Sequence, residues 1–248
     1  MRAAVVLAAA AAAGVAAISP SAAAIAIAAR AVPFPITAQA YLDSYCNTNG
    51  TTSPDRVTIA GGTSATFDAD CEINMPDGAT LDWGEGVNVT LPPTAKIEIY
   101  TLGDSTKRMV IRVGRGTTIT AGGIELPALD LDAGGVLNAT GPSQLFVSSL
   151  DSVRVGGILT AVAHDVLVLS GAGKLLVGAG AVITSGGPLV VGDERAMKVD
   201  VQAGAALMAK GALNVVGGQC TVGEGVVTEG DPVTLCGAST TAASNAEQ

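Results

Sequence analysis

The sequence predicts an all-β solenoid, a chain wound into about eight stacked coils of about 21 residues each. Short alternating apolar strands recur from Cys71 to Cys236, and each is followed by Gly or Asp. Small turn residues recur with them in seven steps: Gly78, Thr94, Gly116, Gly134, Ser152, Gly180, Gly204 and Gly225. The chain is 48% hydrophobic but has only three Phe, three Tyr and one Trp, so its core must be aliphatic, as narrow stacked strands require.

The N-terminal segment 1–40 predicts a secretory signal peptide. Arg2 precedes a run of small apolar residues, mostly Ala, and small-residue cleavage motifs end at Ala24 and Ala40. A cut after Ala40 is favoured because the polar stretch of the chain begins just beyond it. A cut after Ala24 and a retained membrane anchor over 3–29 stay open as alternatives.

The rest of the chain divides into three predicted segments. Residues 41–65 read as an N-terminal cap, 66–237 as the solenoid and 238–248 as a disordered polar tail. Without residues 1–40 the chain keeps all 22 acidic and 11 of its 13 basic residues, a formal charge of −11. Such an acidic chain is not expected to bind nucleic acid or to insert into a membrane after signal cleavage, and an extracellular or cell-surface location is predicted.

Four cysteines in an exported chain predict two disulfides. The sequence does not determine which cysteines pair. Pairing between sequence neighbours, Cys46 with Cys71 and Cys220 with Cys236, would place one bridge at each end of the solenoid. No metal site and no cofactor are expected, since the chain has no C-x-x-C motif and its one histidine, His164, is distant in sequence from every cysteine.

Side-chain alternation predicts which residues face inward. Five triplets place a charged residue between two apolar ones, which sends the apolar pair into the core and the charge outward. They are Ile97-Glu98-Ile99, Ile111-Arg112-Val113, Leu129-Asp130-Leu131, Val153-Arg154-Val155 and Val199-Asp200-Val201.

This arrangement resembles the right-handed parallel β-helix, the fold of pectate-lyase-like enzymes, adhesin passenger domains and phage tailspikes. The resemblance covers residues 66–237 and is at the level of the fold. It depends on the period and on Gly-Gly turns such as Gly122-Gly123 and Gly134-Gly135. The left-handed hexapeptide helix is the nearest competitor, because Val177 to Val182 looks like one of its turns. Enzymes of the resembled fold act on polysaccharides, with Asp-bound Ca²⁺ and a basic residue or with clustered Asp residues.

Outward charges at coil spacing supply the candidate site. Arg112, Asp132, Arg154 and Lys174 follow one another at close to one predicted coil, and Asp130 and Asp151 form a second row with the same spacing. If the chain is an enzyme, the candidate catalytic residues are Arg112, Asp130, Asp132 and Arg154. A charge ladder on a solvated face is the favoured interpretation. The widest interval between turn residues, from Ser152 to Gly180, is only slightly longer than a coil and leaves little chain to wall a cleft.

The sequence therefore predicts a secreted or surface non-catalytic solenoid that serves as a structural or adhesion module. A glycan or a cell-surface protein is the expected partner, and a polysaccharide-active lyase or hydrolase is the alternative. Thr117, Thr118 and Thr120 resemble a fragment of an ice-binding Thr array. No second coil repeats it in register, so ice binding is not expected.

Overall fold

The computed structural model describes residues 35–47, 51–102, 108–170, 173–196 and 198–240. They belong to the compact unit Ala31–Gln248, and the other unit, Met1–Arg30, lies outside them. Most of the predicted signal peptide (1–34) and the end of the predicted tail (241–248) are also outside the described residues. Within them no helix has the length and apolar character needed to cross a membrane.

One helix and 25 strands make up the described chain. The helix is α1 (Ala38–Tyr45). The strands are β1 (Arg56–Ile59), β2 (Ser64–Thr66), β3 (Cys71–Pro76), β4 (Thr80–Trp83), β5 (Asn88–Thr90), β6 (Lys96–Leu102), β7 (Val110–Val113), β8 (Thr118–Ala121), β9 (Gly123–Leu126), β10 (Leu129–Leu131), β11 (Val136–Ala139), β12 (Leu145–Ser149), β13 (Val153–Val155), β14 (Ile158–Ala161), β15 (Val166–Ser170), β16 (Lys174–Val177), β17 (Val182–Ser185), β18 (Leu189–Val191), β19 (Lys198–Val201), β20 (Ala206–Ala209), β21 (Leu213–Val215), β22 (Gln219–Val222), β23 (Val227–Glu229), β24 (Val233–Leu235) and β25 (Ala238–Thr240).

Every third strand joins the same sheet, so the chain winds through three sheets in turn. Sheet A stacks β1-β4-β7-β10-β13-β16-β19-β22, and sheet B stacks β2-β5-β8-β11-β14-β17-β20-β23. Sheet C stacks β3-β6-β9-β12-β15-β18-β21-β24 and ends with β25. Neighbouring strands are parallel except β24 and β25, which are antiparallel. The predicted parallel β-solenoid is confirmed, and its right-handed winding stays a prediction.

The period is about 24 residues, longer than predicted, and the chain makes about seven turns instead of eight. Individual turns differ in length, as the paired residues at one position of sheet A show: Ile59, Trp83, Val113, Leu131, Val155, Val177, Val201 and Val222. The predicted period was too short because the turn residues treated as equivalent lie at different corners of the coil. The corner between sheets A and B carries a glycine with positive φ in most coils, including Gly116, Gly134 and Gly180. Gly78 and Ser152 instead lie between sheets C and A.

The core is a column of aliphatic side chains enclosed by the three sheets. The predicted alternation is confirmed in all five triplets, since Ile111 and Val113, for example, are buried while Arg112 between them is exposed. Trp83 is also buried, and its ring meets that of Tyr41 edge-on at 5.8 Å between centroids. The one tryptophan therefore packs between the solenoid and helix α1.

The N-terminal end of the solenoid is closed. Helix α1, whose N-cap is Thr37, buries Ala38, Tyr41 and Leu42 over the first coil. Residue Ile36 donates its N–H to Thr58 and accepts from Ala60, which covers the edge of β1.

Side-chain amides cover the other two edges at this end. The Gln39 amide donates to the carbonyl of Thr66 and accepts from its N–H, which covers β2. The Asn47 side chain accepts from the N–H of Glu72 and donates to the carbonyl of Asp70, which covers β3. Strand β1 and all but the last residue of β2 lie within the segment predicted as the cap.

The disulfides pair sequence neighbours, Cys46 with Cys71 and Cys220 with Cys236. Each therefore lies at one end of the solenoid. At the C-terminal end β25 covers β24, but within the described residues β22 and β23 have no further strand neighbour. Strand β25 lies in the segment predicted as a disordered tail.

Candidate functional site

Each sheet presents a different set of outward side chains. Sheet A carries charges of both signs, sheet B carries Thr and other uncharged residues, and sheet C carries three acidic residues followed by apolar ones. Because the strands pair in register, outward residues of successive coils form rows with a spacing of about 4.8 Å. The three rows differ in what they can bind.

The row on sheet A is a charge ladder. Paired positions run Asp82, Arg112, Asp130, Arg154, Leu176 and Asp200. Asp130 therefore lies between the two arginines, where the sequence had predicted Asp132. Asp132 lies just beyond β10, and Lys174 lies two residues before the row position in its strand. Asp151 is paired with Arg108 at 2.9 Å, outside the ladder.

The four predicted site residues are nevertheless brought together. One guanidinium nitrogen of Arg154, Nη1, contacts Asp130 Oδ1 at 3.0 Å and Asp132 Oδ1 at 3.1 Å. Arg112 Nε lies 3.9 Å from Asp130 Oδ2. The arginine side chains are about half exposed (51% for Arg112 and 48% for Arg154), so these ion pairs contribute little to stability.

Two groups of the ladder have shifted pKa values. Burial raises the pKa of Asp82 and the repulsion of Asp132 and Asp130 adds to this, while the charge of Arg112 opposes it. The hydrogen bond with Asp130 is the main cause that raises the pKa of Arg154. Arg154 thus stays charged and makes ion pairs with both carboxylates.

A depression of about 290 Å³ lies beside the ladder. Its lining includes Arg108, Asp130, Arg154, Lys174 and Leu176. It is open to solvent along the sheet, so water is not excluded from the carboxylates. The arrangement can hold an anionic or hydroxylated group weakly. Within the described residues no cluster of three or more His, Cys, Asp or Glu side chains has metal-binding geometry.

Sheet B carries two outward rows. The first, which we name the Thr ladder, runs through six paired positions: Thr66, Thr90, Thr120, Asn138, Thr160 and Thr184. The second, the companion row, lies two residues earlier in each strand: Ser64, Asn88, Thr118, Val136, Ile158 and Val182. We call the two rows together the sheet B face. It contains no charged residue, although 14% of the chain is charged.

The hydroxyls of the Thr ladder are free of protein partners in the described residues. No hydrogen bond links the side chains of Thr66, Thr90, Thr120, Thr160 or Thr184 to other described residues. Threonines at the corners behave differently, since Thr63 donates to Ala60 O at 2.7 Å and Thr140 donates to Ala121 O at 3.2 Å. The ladder hydroxyls are thus available to an outside partner.

The sheet B face ends at the C-terminal coils. The next rungs are Ala206 with Met208 and Val227 with Glu229. A depression of about 330 Å³ begins at Thr160 and Thr184, the last two positions of the Thr ladder, and extends to Met208, Lys210 and Glu229. The regular part of the face therefore covers β2 to β17.

The sequence predicted Thr117, Thr118 and Thr120 to be one isolated cluster that no other coil repeats, and that interpretation was wrong. Thr118 and Thr120 belong to the two rows, whereas Thr117 is buried and donates to the carbonyl of Gly84. The missed signal is the x-T or x-N pattern that recurs once per turn, at the unequal steps that the strand pairing defines. A fixed step at the predicted period does not reach these positions.

The row on sheet C starts acidic and becomes apolar. It runs Glu72, Glu98, Glu125, Phe146, Leu167 and Val190. Lys96 lies 3.4 Å from Glu98, and the Tyr100 hydroxyl donates to Glu98 at 2.9 Å. Tyr100 is 41% exposed on this sheet, whereas Trp83 is in the core.

No protein-family model, no curated protein and no solved structure matches this chain. The fold itself defines its class, a parallel β-solenoid with three sheets and two end disulfides.

Proposed function

We propose that this protein is an exported, non-catalytic solenoid that binds an extended, repetitive surface. The observation that carries the proposal is the sheet B face, which presents uncharged outward side chains on six successive strands, with a Thr of the Thr ladder on five of them. A row of identical weak contacts suits a partner that is itself periodic, since each rung adds a little affinity and the rigid stack keeps the rungs aligned.

Export is supported by the two disulfides, which form and persist in oxidising compartments. The predicted signal peptide is consistent with this. We further propose that processing occurs before residue 35, at a site such as the one that ends at Ala24. The reason is that Ile36, Thr37 and Ala38 take part in closing the N-terminal end of the solenoid.

One observation favours the alternative of a polysaccharide-active enzyme. Asp130 and Asp132 converge on Arg154 beside the sheet A depression. Against it, the depression is open to solvent, so water is not excluded, and Arg154 already engages Oδ1 of both carboxyl groups that acid/base cleavage of a glycosidic bond would use.

Incubation of the exported protein with pectin, alginate and chondroitin tests the two functions. We expect no new unsaturated ends in the ultraviolet and no new reducing ends. Release of either product that is lost in Asp130→Asn and kept in Asp200→Asn would replace the proposal by the enzyme. Asp200 is a suitable control because it occupies the same row on sheet A, away from the Arg154 cluster.

A further inference from the structure

We infer that the sheet B face binds ice, so that the periodic partner of the proposed function is crystalline water. This inference rests on the proposed function and names its partner. The face presents a two-dimensional grid of side chains. Rungs follow at about 4.8 Å across the strands, and the two rows are separated by about 6.6 Å along them. The rung spacing lies close to the shorter repeat of oxygen atoms on the prism faces of ice, and the spacing of the two rows is somewhat shorter than the longer repeat.

The chemistry of the grid fits a partner without charge. Threonine offers one hydroxyl and one methyl group, and the companion row adds apolar side chains such as Val136, Ile158 and Val182. Ile158 keeps 38% of its surface exposed. A charged side chain would hold its own hydration shell out of register with a lattice, and the face has none. Sheets A and C differ in this respect, because sheet A carries the charge ladder and the row on sheet C begins with three glutamates.

The same composition disfavours the other periodic partners. Glycan surfaces are usually bound through aromatic side chains that stack on sugar rings, and the sheet B face has no aromatic residue. Nucleic acid and acidic polymers need a basic surface, which the face also lacks. An ordered layer of water molecules needs only hydroxyls and methyls at regular spacing.

The grid is also rigid. The residue between the two rows points inward on every strand, and these residues are fully or almost fully buried: Ala65, Val89, Ile119, Leu137, Leu159 and Ile183. Threonine is branched at Cβ, so few χ1 rotamers are open to it on a strand. Little conformational entropy is therefore lost when the ladder meets a lattice.

The experiment uses the exported protein with both disulfides intact. It is produced in a bacterial periplasm, because Asn88 and Asn138 on the face lie in N-glycosylation sequons that a eukaryotic host could modify. Thermal hysteresis and partition into a slowly growing ice hemisphere are measured for the wild type, Thr120→Tyr and Thr160→Tyr. The matched control is Thr58→Tyr, an exposed outward threonine on sheet A.

We expect hysteresis and ice partition in the wild type and in Thr58→Tyr. Both are lost for the most part in Thr120→Tyr and Thr160→Tyr, while circular dichroism and melting temperature stay unchanged. Absence of hysteresis and partition in the folded wild type overturns the inference, and so does equal loss in Thr58→Tyr.

Two further outcomes also overturn it and separate its failure from that of the proposed function. Binding to a glycan or mineral surface that depends on Thr120 without any effect on ice leaves the proposed function standing with another partner. A dimer in sedimentation that Thr120→Tyr dissociates assigns the face to a second copy of the chain. Cleavage of a polysaccharide would refute the proposed function, independent of the result of the ice assays.

Discussion

Deletion of residues 1–40 is expected to destabilise the protein strongly, whereas deletion of residues 1–34 is not. The segment 35–40, which distinguishes the two variants, contains Ile36. Its backbone donates to Thr58 of strand β1 at 3.0 Å and accepts from Ala60, just beyond that strand, at 2.7 Å. The segment also contains Thr37, whose side chain accepts from Ala40 N at 3.3 Å as the N-cap of α1, and Gln39, which covers the edge of β2. Without this segment, Tyr41 and Leu42 belong to a helix that lacks its first turn.

The magnitude follows from these contacts. Each backbone hydrogen bond contributes about 1 kcal/mol, and the N-cap contributes about 1 kcal/mol. With a similar amount for the amide of Gln39, the loss is about 4 kcal/mol. For a domain of this size that lowers the melting temperature by about 10 °C.

Two probes separate local from global effects. Circular dichroism follows the whole solenoid, and the fluorescence of Trp83, the one tryptophan, follows the N-terminal end where it packs on Tyr41. In the variant 41–248 we expect the Trp83 fluorescence to change at a lower temperature than the circular dichroism. The reason is that an end coil of a solenoid has a neighbouring coil on one side alone and unfolds before the rest. If 41–248 and 35–248 melt together with the same Trp83 emission, the reasoning is refuted. N-terminal sequencing of exported protein should find a start at or before residue 35.

Three more perturbations follow from the ladder and the C-terminal end. Asp82→Asn should raise the stability at pH 7 and leave it unchanged near pH 3. Because burial raises the pKa of Asp82 above its usual 3.8, the folded state binds the proton more tightly than the unfolded state. The stability of the wild type therefore falls as the pH rises from 3.8 through the folded-state pKa. Equal urea midpoints of the two proteins at pH 7 would contradict this. Arg154→Met should change the free energy of unfolding by less than about 1 kcal/mol, since its ion pairs are exposed, and a loss several times larger would show that the ladder is structural. Replacing Cys220 and Cys236 by Ala opens a loop with a sequence separation of 16 and should cost up to about 3 kcal/mol. In that variant the Trp83 emission at the opposite end should stay as in the wild type, and its loss would show that the two ends are coupled.

The inward side of the solenoid could be predicted from sequence because burial imposes a strict rule. A residue such as Ile111 or Val113 must face the core, and a period of two along a strand identifies it without knowledge of its neighbours. The pairing of the cysteines agreed with the sequence-local alternative for a related reason. Neighbouring coils bring residues one turn apart into contact, as in Cys46 and Cys71.

Rows on the outer face could not be predicted, because they depend on the length of every turn. The turn from Trp83 to Val113 is the longer of two neighbouring turns, and the next one, from Val113 to Leu131, is much shorter. The deviations of these two turns from the mean length cancel when the period is averaged. A row that is extrapolated with the mean period is nevertheless displaced in the coils that these turns connect. Asp132 was therefore placed where Asp130 lies, and the Thr ladder was divided into unrelated threonines. Solvent tolerates turns of different lengths, so a mean period does not give the register, and the recurring x-T or x-N pattern is recognised only once the strand pairing is known.

The closed N-terminal end and the uncovered edges of β22 and β23 make the two poles of this rod unequal as partners for self-association. Main-chain pairing between copies can start at the C-terminal pole alone, within the part of the chain that the structure describes. Two copies that met there would cover each other's open edges in a two-fold arrangement, so pairing by this route would close at two copies. A stack of parallel strands with two open poles would have no such limit on its growth.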